Sequence, residues 1–294
     1  MVGRAGVRPM HPRNLHIDGY DFHALAETHP GLSRFIRPNP AGKDSIDFAD
    51  PVAIQVFNRA LLKHHYLVEG WSIPEGYLCP AIPGRVDYIH HLADLLGRTG
   101  DDVTLLDIGT GTSAIYPILG RREYGWRFVG TDIDRTALAS AQAILDRNPG
   151  LREGITLRLQ VSDKRILDGV IRKTDRFAAV MCNPPFHESE EQVRAATRRK
   201  WKNLGKEKAE EAMRNFGGRS HELWCAGGEE AFIRRMVRES VSFSQQVEWF
   251  TSLVAKKNRL DAIIQEIRLV GASDVQIVEM GQGQKTSRFV AWNF

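Results

Sequence analysis

The chain has 294 residues, a formal net charge of +4, 42% hydrophobic and 26% charged residues, which suits one large domain or a catalytic domain with an extension. No apolar run reaches the roughly 20 residues that span a bilayer. Met1 to Arg13 carries three arginines but no apolar stretch after them, which argues against a signal peptide and for the cytoplasm. Cys79, Cys182 and Cys225 are too few and too far apart for a disulfide framework or a zinc site, and they read as reduced thiols.

In chain order, residues 1–98 show short helical patterns broken by Pro and Gly, at Asp21 to His29, Pro51 to His65 and Val86 to Leu96. Asp50-Pro51 has the form of a helix start, an acidic cap followed by proline in the first turn. From Asp102 the pattern changes to strand, turn and helix in repetition. Strands are expected at Val103 to Ile108, Arg127 to Asp132, Ile155 to Val161, Arg176 to Cys182, Trp249 to Ala255, Val275 to Met280 and Arg288 to Phe294. Helices are expected at Ser113 to Arg122, Asp134 to Arg147, Glu229 to Ser240 and Lys257 to Val270. This alternation predicts an α/β fold with a mostly parallel sheet of seven strands. Only Gly281 to Ser287 joins the last two strands, too short for a crossover, so the last strand should be antiparallel. That is the arrangement of a Rossmann-like class I S-adenosylmethionine methyltransferase, here 99–294, with 1–98 as an N-terminal, mainly helical extension. Pro117 falls inside the first of these helices and predicts a kink there.

The first expected strand ends in Asp107-Ile108-Gly109-Thr110-Gly111-Thr112-Ser113-Ala114, and a helix follows. Glycines let a backbone turn sharply beside a ligand, and the helix start offers free N–H groups. The second strand ends in Asp132, where a carboxylate can accept from both ribose hydroxyls. Gly109, Gly111 and Ala114 formally fit a dinucleotide fingerprint. Asp107 decides otherwise: it would repel a pyrophosphate but suits the ammonium and sulfonium of S-adenosylmethionine. Asp163, after the third strand, is placed by position alone near the cofactor adenine.

The fourth strand runs into Asn183-Pro184-Pro185-Phe186. The lone pair of an aromatic amino group is delocalised into its ring, so the nitrogen is a poor nucleophile. The Asn183 side-chain oxygen and the Pro184 carbonyl can each accept one amino hydrogen, favouring a pyramidal nitrogen aimed at the methyl donor. Positioning and electrostatics then suffice, without a strong base. Phe186 offers a face on which a flipped-out base can stack. The motif marks amino-group methylation without separating a nucleobase from a protein amide. Beyond it, Arg194, Arg198, Arg199, Lys200, Lys202 and Lys206 surround Trp201 with no acidic residue between them, a composition suited to phosphates and stacked bases. The polar stretch Glu188 to Gly218, long and beside the expected active site, is expected to be mobile without RNA.

His11-Pro12-Arg13-Asn14, Cys79 to His90, Asp107 to Pro117 and Asn183 to Phe186 together resemble the ribosomal RNA large subunit methyltransferase F family, over nearly the whole chain. These are N6-adenine methyltransferases of 23S ribosomal RNA, related to methyltransferase-like enzymes of eukaryotic small nuclear RNA. The resemblance implies that Asn183, Pro184, Pro185 and Phe186 hold the target adenine. It implies that Asp107, Gly109, Thr110, Gly111 and Ser113 bracket the methionine part of S-adenosylmethionine, Asp132 its ribose and Arg85 its carboxylate. His11, Arg13 and Asn14 would belong to an RNA-binding groove, together with Arg198, Arg199, Lys200 and Lys202. The partner would be 23S RNA or a large-subunit assembly intermediate, met by a monomer without a metal. A protein glutamine methyltransferase is the alternative, which Phe186 and the basic stretch disfavour. A third possibility is a non-catalytic assembly factor that keeps the cofactor fold as a scaffold.

Overall fold

The computed structural model describes residues 9–189, 191–192, 224–282 and 285–294. Before the main sheet come α1 (Phe22–Thr28), the two-residue strands β1 (Arg37–Pro38) and β2 (Asp44–Ser45), α2 (Pro51–Tyr66) and α3 (Ile82–Leu96). The caps lie where the side chains demand them. Asp21 accepts from the His23 and Ala24 amides at the start of α1, and Asp50 from Val52 and Ala53 at the start of α2, beside Pro51.

Then follow β3 (Thr104–Ile108), α4 (Ile115–Tyr124), β4 (Arg127–Asp132), α5 (Arg135–Asp146), the single turn α6 (Pro149–Arg152), β5 (Ile155–Leu159) and β6 (Phe177–Cys182). The chain ends with α7 (Gly228–Ser240), β7 (Val247–Leu253), α8 (Leu260–Leu269), β8 (Asp274–Gln282) and β9 (Lys285–Asn293). The seven long strands form one sheet in the order β5-β4-β3-β6-β7-β9-β8. All pairings from β5 to β7 are parallel, and β9 runs antiparallel to both its neighbours. The expected class I methyltransferase topology is the one observed.

Alternate residues of the central strands point to opposite faces. Leu105, Phe128, Ala179 and Phe289 join a core with α2, α3, α4 and α5, in which Trp71 and Trp126 are fully buried. Leu106, Val129, Val180 and Val290 join the opposite core with α7 and α8. The segment before residue 99 thus shares its core with one face of the sheet, and the Tyr88 hydroxyl of α3 meets Thr251 Oγ1 of β7 at 2.7 Å.

One local expectation is corrected. The helix after β3 begins at Ile115, two residues later than expected, and runs without a break to Tyr124. Pro117 is therefore its third residue, where an N–H has no intrahelical partner to lose. Ala114, left-handed at φ +46°, makes the turn into this helix. Among the described residues no helix is long and apolar enough to cross a membrane.

Candidate cofactor and base site

The carboxyl ends of β4, β3 and β6 lie side by side, the edge at which open α/β sheets bind ligands. The glycine loop is fastened there by its backbone: the Gly109 and Thr110 amides both donate to the Thr131 carbonyl, at 2.9 and 2.8 Å. Gly109 and Gly111 hold φ of +74° and +65°, which only glycine adopts cheaply. Gly130 serves a different need, because a Cβ there would come within 2.8 Å of Thr110 Oγ1. Asp132 anchors both sides of the cleft, its Oδ2 accepting from the Gly111 amide and its Oδ1 from the Asp134 amide, each at 2.9 Å. A carboxylate at the end of this strand suits ribose hydroxyls, from which it can accept on either oxygen.

Asp107 is 1% exposed, and neither carboxylate oxygen has a well-formed hydrogen bond. Burial pushes its pKa up to about 7; the Thr110 hydroxyl nearby moderates the rise, Asp132 adds to it and Arg85 opposes it. A buried acid without hydrogen bonds is costly unless something cationic completes it. The cationic methionine part of S-adenosylmethionine fits that need. Arg85, in the first turn of α3, lies with its guanidinium 5.4 Å from the centre of the Tyr116 ring, beside this acid. The cleft thus offers an arginine and an acid to a zwitterionic ligand. Ser113 is buried at the end of the loop, whereas Asp163 is exposed beyond β5.

The base-side motif stands next to this cleft. Ile108 pairs with Cys182, so Asn183 leaves β6 level with Gly109. Asn183 Oδ1 is buried and has no hydrogen-bond partner, while Pro184 is buried and Phe186 half-buried. The same small region therefore holds an acid able to face a cation and an amide oxygen able to face an amino group.

His11, Arg13 and Asn14 pack along α3, with contacts from Pro83 near its start to Asp94 near its end. The His11 amide donates to Asp87 Oδ1 at 2.6 Å, and Asn14 Nδ2 donates to the same oxygen at 3.2 Å and to the Pro83 carbonyl at 3.0 Å. Both side chains are buried. Arg13 is half-exposed, its guanidinium donating to Asp94, the His90 carbonyl and the Tyr124 hydroxyl. These contacts tie the N-terminal segment to α3. His11, His91 and Asp94 bring ligand-type atoms within 4.8 Å of one another. His11 Nε2 bonds Asp94 Oδ2 at 2.9 Å and Arg13 donates to the other oxygen, so Asp94 fastens the N-terminal segment. Arg198, Arg199, Lys200 and Lys202, with most of the polar stretch Glu188 to Gly218, fall outside the described residues.

Sequence reasoning did not single out Gly130, Tyr116 or Tyr77. Tyr77, whose hydroxyl donates to Asp134 Oδ2 at 2.6 Å, ties the N-terminal segment to the Asp132 turn. A glycine in the interior of the strand Arg127 to Asp132 was the available signal for Gly130.

A family profile described as RNA methyltransferase matches residues 4–294. The chain belongs to that family. It is 52% identical to Ribosomal RNA large subunit methyltransferase F of Serratia proteamaculans, over 97% of this chain and 87% of that protein. It is 51% identical to the protein of the same name from Pseudomonas aeruginosa, over 99% of this chain and 89% of the other. Among solved structures, the human METTL16 catalytic domain in complex with MAT2A 3′UTR hairpin 1 superposes with a TM-score of 0.84. The identity is 29%, covering 98% of this chain and 96% of the other. The N-terminal domain of human METTL16 in complex with SAH gives a TM-score of 0.78 at 28% identity, covering 98% and 99%. This RNA methyltransferase uses S-adenosylmethionine and is an enzyme, and the sequence-level resemblance to the F family holds.

Proposed function

We propose that the chain, as a monomer in the cytoplasm, methylates the N6 amino group of one adenine in 23S ribosomal RNA, free or within a large-subunit assembly intermediate. S-adenosylmethionine supplies an electrophilic methyl group on a sulfonium. The observation that carries the reading is the buried, unpartnered Asn183 Oδ1 at the strand end beside Asp107. On this reading Asn183 Oδ1 accepts one N6 hydrogen and the Pro184 carbonyl the other, which turns the nitrogen lone pair out of the ring plane. Pro185 fixes the turn, and Phe186 stacks on the base, a contact worth about 1–3 kcal/mol. Arg85 holds the cofactor carboxylate, and Asp107 with Gly109, Thr110, Gly111 and Ser113 surrounds its amino-acid part. Asp132 takes the ribose and Asp163 lies at the adenine end.

The ribosomal acceptor is supported by the relatives named for large-subunit ribosomal RNA, and an RNA acceptor by the RNA-bound neighbours. Those names favour RNA over a protein glutamine. On this reading His11 and Asn14 fasten residues 11–14 to α3, and Arg13 together with the basic residues Arg198, Arg199, Lys200 and Lys202 meets the RNA backbone. One chain supplies the acids, Arg85 and the Asn183 motif, so a single copy is sufficient.

Asn183→Ala tests the assignment. Turnover is expected to fall by about 10²–10³, the usual cost of losing a group that acts on the transition state. SAH affinity, measured by calorimetry, should stay within about threefold, because Asn183 faces the acceptor. A collapse of SAH affinity would remove Asn183 from the acceptor side.

A further inference from the structure

The two prolines of the base motif have no N–H groups, so that part of the loop cannot be fastened by its own amides. Asn183 is held on one side by β6. On the other side the fastening comes from residues outside the motif. The His187 carbonyl accepts from the Cys225 amide at 3.1 Å, and His187 pairs with Trp224 in a short parallel bridge. The next residue, Glu188, receives Arg259 Nη2 on its Oε1 at 3.1 Å.

Arg259 is itself rigidly seated. It is 7% exposed, just before α8, and its Nη1 lies 3.2 Å from Oε2 of Glu229, which is 0% exposed. The other oxygen of Glu229 accepts the Ala255 amide at 2.6 Å, directly beyond the end of β7. A buried acid paired in this way fixes the arginine, and the remaining guanidinium nitrogen is turned toward the loop. Gly228, at φ +66°, lets Glu188 come close: a Cβ there would sit 2.6 Å from Glu188 Cγ and 3.5 Å from its backbone nitrogen. The chain from Asn183 to Glu188 is thus stretched from the end of β6 to a post built on α7, the end of β7 and the start of α8.

We infer that Arg259 and Glu229 are positioning residues for methyl transfer, acting through Glu188 to fix where Asn183 and Phe186 present the adenine. The inference rests on the roles given to those two residues above. Neither Arg259 nor Glu229 needs to touch substrate or cofactor. The Glu188 side chain is 48% exposed, so its ion pair contributes little to the stability of the whole fold. Geometry at the reacting nitrogen is far more sensitive, since a shift of about 1 Å can cost about a hundredfold in rate. Rate and stability should therefore separate at Glu188.

The test uses the full chain with unmodified large-subunit ribosomal RNA. Single-turnover methyl transfer, SAH affinity, RNA affinity and the thermal midpoint are measured for Glu188→Ala, Glu188→Gln and Asn183→Ala. The expected result for Glu188→Ala is a rate lowered about tenfold or more, with both affinities within about twofold and little change in midpoint. Glu188→Gln should recover most of the rate, because its amide oxygen still accepts from Arg259. An unchanged rate in Glu188→Ala, or a loss carried by RNA affinity, overturns the inference. If Asn183→Ala is inactive while Glu188→Ala is normal, only the positioning role fails. If Asn183→Ala is also normal, the reading of the site itself fails.

Discussion

At the scale of single residues, Asp107 is costly to the fold, and the proposed cofactor contact would offset that cost. Its carboxyl is buried with no hydrogen bond, and its pKa is lifted to about 7, chiefly by burial. A group whose folded pKa lies above its unfolded value contributes its full stability below the unfolded pKa, near 4. That stability is lost as pH rises through 7, by roughly 4 kcal/mol at most for a shift of about three units. Without cofactor, Asp107→Asn should therefore raise the thermal midpoint more at pH 8 than at pH 5. An equal gain at both pH values would contradict the shifted titration. The same substitution should weaken SAH binding and remove its rise between pH 6 and 8, since the charged carboxylate suits the cationic ammonium. Asp107, the glycine loop, Asp132 and Asn183 to Phe186 were legible in the sequence because each lies in a contiguous motif at a strand end. Arg85 was reachable only through family resemblance, lying 22 positions before Asp107. The Glu188, Arg259 and Glu229 network left no local trace, since its partners are 71 and 30 residues apart.

At the scale of elements, the strands and helices were legible because alternation and helical spacing are local properties, and helix ends were less so. The end of the glycine loop shows why. Ser113 and Ala114 could have begun α4, but the left-handed Ala114 delays it and moves Pro117 from the interior to the third position. Pro117→Ala should consequently change stability by less than about 0.5 kcal/mol in urea unfolding, whereas an interior proline would give about 3 kcal/mol on removal. The N-terminal elements carry a second titration of opposite sign. His16, whose Nε2 meets the Tyr66 hydroxyl at 3.0 Å, and His90, whose Nδ1 meets that of Tyr124 at 2.7 Å, are both held near pKa 4. Burial is the main cause in each; His65 adds to it at His16, and His11, Arg13 and His91 at His90, where Asp94 opposes. Their contribution is complete above about pH 6.5 and is lost as pH falls toward 4. The drop in thermal midpoint from pH 7 to pH 5 should be smaller in the His16→Gln, His90→Gln double variant than in the parent. An identical drop would place the acid sensitivity elsewhere. Asp107 and the histidines oppose each other over this range, so each is read as a difference between variant and parent.

At the scale of the whole molecule, one face of the sheet carries the N-terminal helices and the other α7 and α8, so the carboxyl ends of β3, β4 and β6 form the candidate site for cofactor and base. The fold class was legible because seven strands alternating with helices allow few sheet topologies. The sharing of a core by residues before 99 was not, since Tyr88 meets Thr251 across 163 positions. Neither the net charge of +4 nor the fold selects the acceptor, and the proposed Asn183 contact would serve any amino acceptor; the relatives named for ribosomal RNA favour RNA. The most direct test is methyl transfer from radiolabelled S-adenosylmethionine to unmodified 23S RNA, alongside protein acceptors, with the labelled RNA digested to nucleosides. The account predicts label in N6-methyladenosine alone, incorporated about 10²–10³ more slowly with Asn183→Ala. Label in a protein glutamine, or in another nucleoside, would contradict it.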